Sequence, residues 1–281
     1  LKAPELAFYR RSIEELLRER AHTLSSKEER ILAMFSDVLG SAGSTYSTLC
    51  NADMRFPTID DEQGRKIELS HGNYRNFLES PQREVRRTAF EAMFETHKAL
   101  RNTIASTLDA TVKYHVLDAD LRHYDSALAA SLFEDNVPES VYHALIEAVH
   151  ESLPALHRYM ELRAEVMKLD SLDMYDIYNP LQAECSLKFT YHEACELVRA
   201  ALGVMGEEYQ NALDRAFAER WIDVLECKGK RSGAYSSGCF DSNPYLLLNF
   251  NGTLNDVFTL AHELGHSMHS YFSNKYQKYH Y

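Results

Sequence analysis

The sequence contains few of the residues that interrupt regular secondary structure. Its 281 residues include only 11 glycines, 7 prolines and 1 tryptophan. Because glycine and proline are the residues that helices tolerate least, their scarcity is typical of a helix-rich chain. With 45% apolar and 26% charged residues, the composition predicts a well-packed globular protein and argues against a disordered or fibrous one.

Cysteine is too sparse and too irregularly spaced to cross-link a small secreted domain. The chain has 5 cysteines, an odd number, and no two of them form a C-x-x-C pair. This argues against a disulfide framework and against a cysteine zinc knuckle. We therefore interpret the five cysteines as buried or inert thiols in a reducing compartment, and we expect a cytoplasmic protein. They are Cys50, Cys185, Cys195, Cys227 and Cys239.

Long apolar runs and an excess of positive charge are also missing. No stretch approaches the ~18 consecutive apolar residues that a membrane-spanning helix needs. The formal net charge is −12 at pH 7, which does not suit a protein that binds nucleic acid or an anionic membrane surface. We therefore expect neither nucleic acid nor membrane among the partners.

Apolar residues recur at helical spacing along most of the chain, which predicts a mainly α-helical fold. The segment LSSKEERILAMFSDVLGSAG, residues 24–43, is expected to form one helix that opens with a serine N-cap signal and closes on Gly40 and Gly43. Residues 80–124 are long enough for two helices. Pro154 is expected to separate two further helices within residues 137–169.

Three segments lack this helical spacing. Phe56–Ile59 and Lys66–Leu69 are predicted to form the arms of a β-hairpin around a polar, glycine-containing turn. The segment DMYDIYNPL, residues 173–181, predicts a short β-like run that ends at its proline. The segment KRSGAYSSGCFDSNPYLLLNFNGT, residues 230–253, predicts two short strands beside the helix that carries His262.

The segment TLAHELGHSMHSYF contains two histidines four residues apart, His262 and His266, with Glu263 after the first. Residues four apart share one face of a helix, so both imidazoles can bind one zinc ion. Glu263 lies about 100° round the helix, where it reaches metal-activated water as a general base rather than the metal itself. The alternative interpretation is a solvated helix with incidental histidines.

A third zinc ligand is not evident near this motif. His269 lies nearly on the same face, but about 10 Å along the axis from His262, too far for one tetrahedral ion on a straight helix. His280 would require the chain to double back within a few residues. A third histidine at metzincin spacing is absent from the sequence. A carboxylate from elsewhere is therefore the remaining candidate.

Longer stretches of the sequence resemble a known family. FTLAHELGHSMHSYFS, preceded by KRSGAYSSGCFDSNPYLLLNF, closely resembles oligoendopeptidase F, of the thimet-oligopeptidase-like zinc metallopeptidases. NADMRFPTI, LSHGNYRNFLES and RWIDVLECKGKRSGAYSSG are also similar to stretches of that family, in the same order. The likeness therefore runs through the whole chain.

The resemblance implies a mainly α, two-lobed helical zincin-type metallopeptidase, truncated at the C-terminus, with a small β element beside the zinc helix. Residues 1–69 would form an N-terminal helical subdomain that ends in a β-hairpin. Residues 70–281 would form the first, incomplete portion of the catalytic domain. A channel between the lobes would admit short unstructured peptides.

The resemblance also implies roles for individual residues. One Zn²⁺ ion would be held by His262 and His266, with a glutamate beyond Tyr281 as third ligand and Glu263 as catalytic base. The edge strand that binds substrate in the family matches four residues of this chain: Gly233, Ala234, Tyr235 and Ser236.

The expected function is hydrolysis of short oligopeptides by a cytoplasmic zinc endopeptidase. Its expected partners are oligopeptide substrates and the missing C-terminal part of the same enzyme. An alternative is a truncated or degenerate helical fragment that binds peptide without cleaving it. A non-peptidase zinc hydrolase is a weaker third interpretation, which the zinc motif alone does not exclude.

Overall fold

The computed structural model describes residues 4–181 and 187–277, most of them helical. The α-helices of this part of the chain are α1 Arg10–Glu19, α2 Ser26–Leu39, α3 Ser41–Thr48, α4 Tyr74–Leu78, α5 Arg83–Ala99, α6 Arg101–Leu121, α7 Ala127–Phe133, α8 Glu139–Met167, α9 Tyr191–Ala201, α10 Glu207–Ala218 and α11 Leu254–Tyr276. Short 3₁₀ segments cover Pro4–Tyr9, Met174–Asp176 and Leu202–Met205, and a π-helical segment covers Leu49–Asp53. None of the helices within these residues is long and apolar enough to cross a membrane. The predicted mainly α-helical fold is confirmed.

Two small β-sheets accompany the helices in the described part of the chain. The strands are β1 Thr58–Asp60, β2 Lys66–Glu68, β3 Ile222–Asp223, β4 Tyr235–Ser237 and β5 Tyr245–Leu247. β1 and β2 pair antiparallel, which confirms the predicted hairpin. In the second sheet β5 lies in the middle, parallel to β3 and antiparallel to β4.

The chain forms two compact units. The first comprises Leu1–Asp53 and His97–Ser171, and the second comprises Met54–Thr96 and Leu172–Tyr281. The predicted boundary between residues 69 and 70 stays a prediction.

In the first unit, α3 packs on α6, and α7 packs on α6 and α8. Ala119 of α6 is the one buried apolar residue among those described there. Most of the larger apolar side chains of α8 are exposed, among them Leu145 and Leu162. The well-packed apolar cores therefore lie in the second unit.

The larger core of the second unit positions α11. This helix packs against α9, α10 and the strands β4 and β5. Its buried apolar residues recur at intervals of three or four, which is the spacing of one helical stripe: Val257, Leu260, Leu264 and Met268. They pack in one cluster with Trp221, with Leu246 of β5 and with Leu248, the residue that follows this strand. Burying each large side chain contributes about 1.5–3 kcal/mol, so this stripe fixes which side of α11 faces outward.

The start of α11 is fixed by its cap and by a tight turn. The Thr253 hydroxyl accepts a hydrogen bond from the Asp256 N–H, and the Asp256 carboxylate accepts one from the Thr253 N–H. This reciprocal pair is a capping box, which ends the preceding loop at a defined residue. Gly252 has φ +80°, and its carbonyl accepts from the Phe189 N–H at 2.9 Å.

The prediction for residues 173–181 is wrong. Met174–Asp176 forms a 3₁₀ turn instead of a β-like run. The buried Asp176 carboxylate accepts hydrogen bonds from the Asp173 N–H and from the guanidinium groups of Arg83 and Arg86. A side chain that bonds its own backbone three residues back favours a turn over a strand.

The predicted break at Pro154 is also wrong. α8 runs without interruption from Glu139 to Met167 with this proline inside it. Proline removes one backbone hydrogen bond, the one to the carbonyl of His150, yet the helix continues on both sides. The serine cap expected at the start of α2 is confirmed, because Ser25 forms a capping box with Glu28, and the helix ends at its C-cap Gly40 as expected. The expectation for Gly43 is wrong, because this glycine lies inside α3.

Candidate metal centre

α11 places His262 and His266 together on its outward side. Both residues are exposed, their Nε2 atoms are 3.0 Å apart, and their ring planes meet at 82°. The rings therefore lie neither on opposite sides of the helix nor in the apolar core. This is the arrangement that the four-residue spacing predicts.

The separation of the two nitrogens suits a shared metal ion. Two ligands at Zn–N distances of ~2.0–2.1 Å in a tetrahedral site are about 3.4 Å from each other. The observed 3.0 Å is close to that value, so a small ring rotation suffices to bring both imidazoles onto one ion. The histidine pair fits a zinc site as two of its ligands.

A complete ligand set is not found within the described residues. No group of three or more His, Cys, Asp or Glu side chains there is arranged to hold a metal ion. His269 is exposed on the same helix but does not form such a group with the pair. His280 lies outside the described residues. The glutamate expected beyond Tyr281 stays a prediction.

Glu263 lies on the inner side of α11, between the two histidines in sequence. Its side chain is buried, with the residue 8% exposed. Its carboxylate oxygens are not among the fully buried side-chain atoms that lack a hydrogen-bond partner in the described part of the chain.

A serine pair joins α11 to the strand beside it. Ser267, the residue after the second histidine, is fully buried, and its hydroxyl lies 2.7 Å from that of Ser236 on β4. Sequence analysis did not identify Ser267. A signal for it existed, since this small polar residue continues the buried stripe of Leu260 and Leu264.

The β4 strand presents free backbone groups at its outer edge. The Leu246 N–H donates to the carbonyl of Trp221 on the β3 side. Alternate residues of a strand point their backbone groups to opposite sides, so the N–H and C=O groups of Tyr245 and Leu247 face β4 instead. They are opposite Ser237 and Tyr235, so the N–H and C=O of Ser236 point away from β5. No other strand in the described part of the chain pairs with that edge.

The residues before β4 are held by Asn249. Its Nδ2 donates to the carbonyls of Arg231 and Gly233, at 3.1 and 2.8 Å. Tyr235, at the start of β4, is 39% exposed, with the guanidinium of Arg231 over its ring at 5.8 Å. The predicted strands in residues 230–253 are therefore confirmed beside α11, and β3 is an additional one.

The cysteines of the described residues are free thiols: Cys50, Cys195, Cys227 and Cys239. Cys185 lies outside the described residues. Burial raises the pKa of the Cys195 thiol and outweighs the opposite effect of the neighbouring Tyr191 hydroxyl. A thiol with a raised pKa is protonated at neutral pH and is a poor nucleophile.

Proteins with similar sequences are oligopeptidases by name. Oligopeptidase PepF of Bacillus subtilis (strain 168) is 47% identical over 281 residues, which is 100% of this chain and 42% of that protein. Group B oligopeptidase PepB of Streptococcus agalactiae is 44% identical over 279 residues, 99% of this chain and 46% of that protein. The chain thus spans less than half the length of these relatives.

Solved structures with a similar fold cover the chain as well. A putative peptidase from Chlamydophila abortus matches with TM-score 0.71 and 39% identity over 99% of this chain and 47% of that one. The oligoendopeptidase-F from Enterococcus faecium matches with TM-score 0.67 and 37% identity over 97% of this chain and 44% of that one. A putative oligoendopeptidase F from Bacillus anthracis has TM-score 0.81 at 18% identity, over 98% of this chain and 50% of that one, and this likeness concerns the fold alone.

Two family models match the chain directly. The model for Oligopeptidase F covers residues 1–56, and the model for Peptidase family M3 covers residues 76–281. The resemblance to oligoendopeptidase F is confirmed by these matches and by the named relatives. Since the second model spans well over half of the sequence, this chain belongs to Peptidase family M3.

Proposed function

We propose that the full-length protein is a zinc-dependent endopeptidase that hydrolyses short oligopeptides. In this proposal His262 and His266 are two of the zinc ligands, and Glu263 is the general base. The observation that carries it is the pair of imidazole Nε2 atoms, 3.0 Å apart on the outward side of α11. The oligopeptidase names of the relatives support it.

A zinc ion bound at the pair supplies a Lewis acid, which polarises the carbonyl of the scissile bond and lowers the pKa of water. Glu263 accepts the proton of the attacking water and then donates it to the leaving amine. Glu263 directly follows His262 on the same helix and is only 8% exposed, which supports this role for a carboxylate beside the proposed zinc site.

The substrate binds in this proposal as an extra strand along β4. The N–H and C=O of Ser236 face the open edge, and by alternation those of Ala234 face the same way. Together with Gly233 and Tyr235 they form the proposed substrate-binding segment. Backbone pairing needs an extended peptide and takes little account of side chains, which suits oligopeptides of varied sequence and excludes folded proteins.

A second candidate function is peptide binding without cleavage. The observation in its favour is that the described residues contain no group of three or more possible ligands around His262 and His266. Zinc affinity depends on the number of ligands, so the described residues alone would bind the ion weakly. The cytoplasmic location and the contribution of a C-terminal portion likewise stay predictions.

The two candidates are distinguished by cleavage of quenched fluorescent peptides, measured together with zinc content and peptide affinity. For the endopeptidase, Glu263→Gln retains zinc but lowers kcat by roughly 10²–10⁴-fold, the usual contribution of a general base. His262→Ala loses zinc and activity together, whereas His269→Ala, on the same helix, retains both. A zinc-loaded full-length protein that binds peptides but cleaves none supports the second candidate.

A further inference from the structure

Ser236 is the residue of β4 whose side chain turns towards α11. It is opposite Leu246 on β5, and residues directly opposite each other in a sheet point their side chains to the same face. Leu246 is 2% exposed and packs in the cluster that contains Leu260, Leu264 and Met268 of α11. The other two residues of β4 are exposed, as the alternation of a strand requires. Within β4, the side-chain contact with the helix is therefore made by Ser236.

Ser267 meets this side chain from the helix. The hydroxyl oxygens of Ser236 and Ser267 are 2.7 Å apart, and Ser267 is completely buried. It lies three residues after Leu264 and directly before Met268, which are buried apolar residues of the same helix. A hydrogen-bonded pair of hydroxyls thus lies within an otherwise apolar interface.

Stability alone does not explain why hydroxyls occupy this interface. Replacing both partners of a buried hydrogen bond by apolar groups of the same shape is nearly neutral for stability or even favourable. Apolar groups attract each other without direction, so they let neighbouring elements shift by small amounts. A hydrogen bond instead restricts both the distance and the angle between its partners. The serine pair therefore contributes precision of position more than it contributes net stability.

The serine pair connects the two parts of the proposed active site. Ser267 directly follows His266, and consecutive residues of a helix are held in fixed geometry, about 1.5 Å apart along the axis. On the strand, the N–H and C=O of Ser236 point to the open edge along which the peptide is proposed to bind. The hydrogen bond thus joins the neighbour of a proposed zinc ligand to a residue proposed to pair with substrate.

We propose that Ser236 and Ser267 are positioning residues, whose hydrogen bond sets the distance between a peptide bound along β4 and a zinc ion held by His262 and His266. This inference rests on the proposed function. In this role neither hydroxyl touches the reacting atoms, and each acts through the element that carries it. Since a misplacement of about 1 Å can reduce a rate by roughly 10²-fold, we expect the smaller displacement allowed here to reduce kcat by about tenfold.

Two variants of Ser236 isolate the hydrogen bond. Threonine and valine have nearly the same shape and both suit a β-strand, but only threonine has a hydroxyl. In the zinc-loaded full-length protein, kcat for a quenched peptide is expected to be about tenfold lower for Ser236→Val than for Ser236→Thr. Their KM values should agree, because the backbone groups that bind the peptide are present in both variants.

Ser237 provides the matched control pair. It is the next residue of β4, it is exposed, and its side chain points to the face of the strand away from α11. The variants Ser237→Val and Ser237→Thr differ by the same hydroxyl, so their kcat values should agree. A tenfold difference between them as well would assign the effect to strand propensity instead of the hydrogen bond.

A second measurement does not depend on cleavage. A peptide with a C-terminal hydroxamate can bind zinc through that group and the β4 edge through its backbone. Its gain in affinity over the same peptide amide therefore reports whether the metal and the edge can be engaged at the same time. Calorimetry should show a gain about tenfold smaller for Ser236→Val than for Ser236→Thr. Zinc affinity without peptide should be equal in the two variants.

The same bond can be removed from the helix. Ser267→Ala deletes the hydroxyl without adding volume to the core, and it should reduce the hydroxamate gain as much as Ser236→Val does. This variant decides the question if valine at position 236 prevents folding. A hydroxamate gain in Ser267→Ala that equals the wild-type gain overturns the proposal, and so do equal kcat values and equal gains for Ser236→Val and Ser236→Thr.

Failure of the proposed function is visible in the wild-type protein itself. If the wild type cleaves no peptide but shows a hydroxamate gain, the endopeptidase assignment fails, and the gains of the variants still decide the role of the serine pair. If the zinc-loaded wild type shows no hydroxamate gain, the metal and the β4 edge do not act together. The positioning role is then overturned as well.

Discussion

The hydroxyl of Ser267 on α11 lies 2.7 Å from the hydroxyl of Ser236 on β4, and Ser267 is completely buried. Ser267 directly follows His266, and Ser236 is the β4 residue whose backbone faces the open edge. One hydrogen bond thus sets the position of the histidine pair relative to the strand proposed to bind substrate.

We expect Ser267→Ala to lower the free energy of unfolding by about 0.5–1.5 kcal/mol, because the hydrogen bond between the two hydroxyls is lost. Ser236→Ala should cost a similar amount. The double variant should cost less than the sum of the two, because both changes remove the same bond. Urea unfolding of the four proteins measures this coupling, and strictly additive losses would show that the bond contributes nothing.

A buried carboxylate in the second unit should be far more important for stability. Asp176 is completely buried and accepts hydrogen bonds from Arg86, itself 2% exposed, at 2.7 Å and from Arg83 at 2.8 Å. Asp176→Asn leaves Arg86 buried without its counter-charge, and we expect a loss of about 3–5 kcal/mol in unfolding free energy. Denaturant unfolding followed by circular dichroism checks this.

Asp173 provides the matched control for that variant. Its carboxylate also pairs with Arg83, at 3.0 Å, but its side chain is 51% exposed. Exposed pairs contribute only about 0–1 kcal/mol, so Asp173→Asn should change stability little. Equal losses for the two variants would contradict the assigned importance of burial.

The same carboxylate should make stability depend on pH in the acid range. Burial by itself raises the pKa of Asp176, but the hydrogen bonds from Arg83 and Arg86 outweigh it and hold the pKa below the ordinary 3.8. When folding lowers the pKa of a carboxyl group, that group stabilises the protein fully at pH values above its pKa in the unfolded chain. The stabilisation is lost as the pH falls through the pKa of the group in the folded protein.

The stability difference between the wild type and Asp176→Asn should therefore be constant from neutral pH down to about 4 and should shrink below it. Urea midpoints measured from pH 7 to pH 2.5 follow this difference. A difference that grows as the pH falls would contradict the direction assigned to the pKa.

The histidine pair was predictable because it depends on helix geometry alone. Residues four apart share a face in any helix, so His262 and His266 needed no tertiary information to be placed together. The strands next to α11 were predictable for a similar local reason, since a Gly/Ser-rich loop and an apolar run leave few alternatives to short strands.

The features that the sequence could not predict depend on distant partners. The 3₁₀ turn at Met174–Asp176 is stabilised by arginines about 90 residues away in sequence, and the turn residues alone resembled a strand. Ser267 gains its role from a strand residue 31 positions earlier. Pro154 is a different case, because the helical propensity of its flanks outweighs the loss of one hydrogen bond.

The turn before α11 gives a further test of how this helix is positioned. Gly252 has φ +80°, and a Cβ built there would lie 2.8 Å from the carbonyl oxygen of Phe189. Gly252→Ala adds the cost of left-handed backbone, about 1–2 kcal/mol, to this contact. The chain must shift to relieve it, and the shift acts directly on the cap at Thr253.

We therefore expect Gly252→Ala to lower the unfolding free energy by more than 1 kcal/mol and to weaken zinc binding by the full-length protein. Gly203→Ala is the control, because that glycine lacks a positive φ and a Cβ there meets nothing within 4 Å. Thermal unfolding and zinc titration of both variants measure the two effects. If Gly252→Ala matched Gly203→Ala in stability and zinc affinity, the turn could not be what holds α11 in place, and the packing of Leu260 and Leu264 would have to account for its position alone.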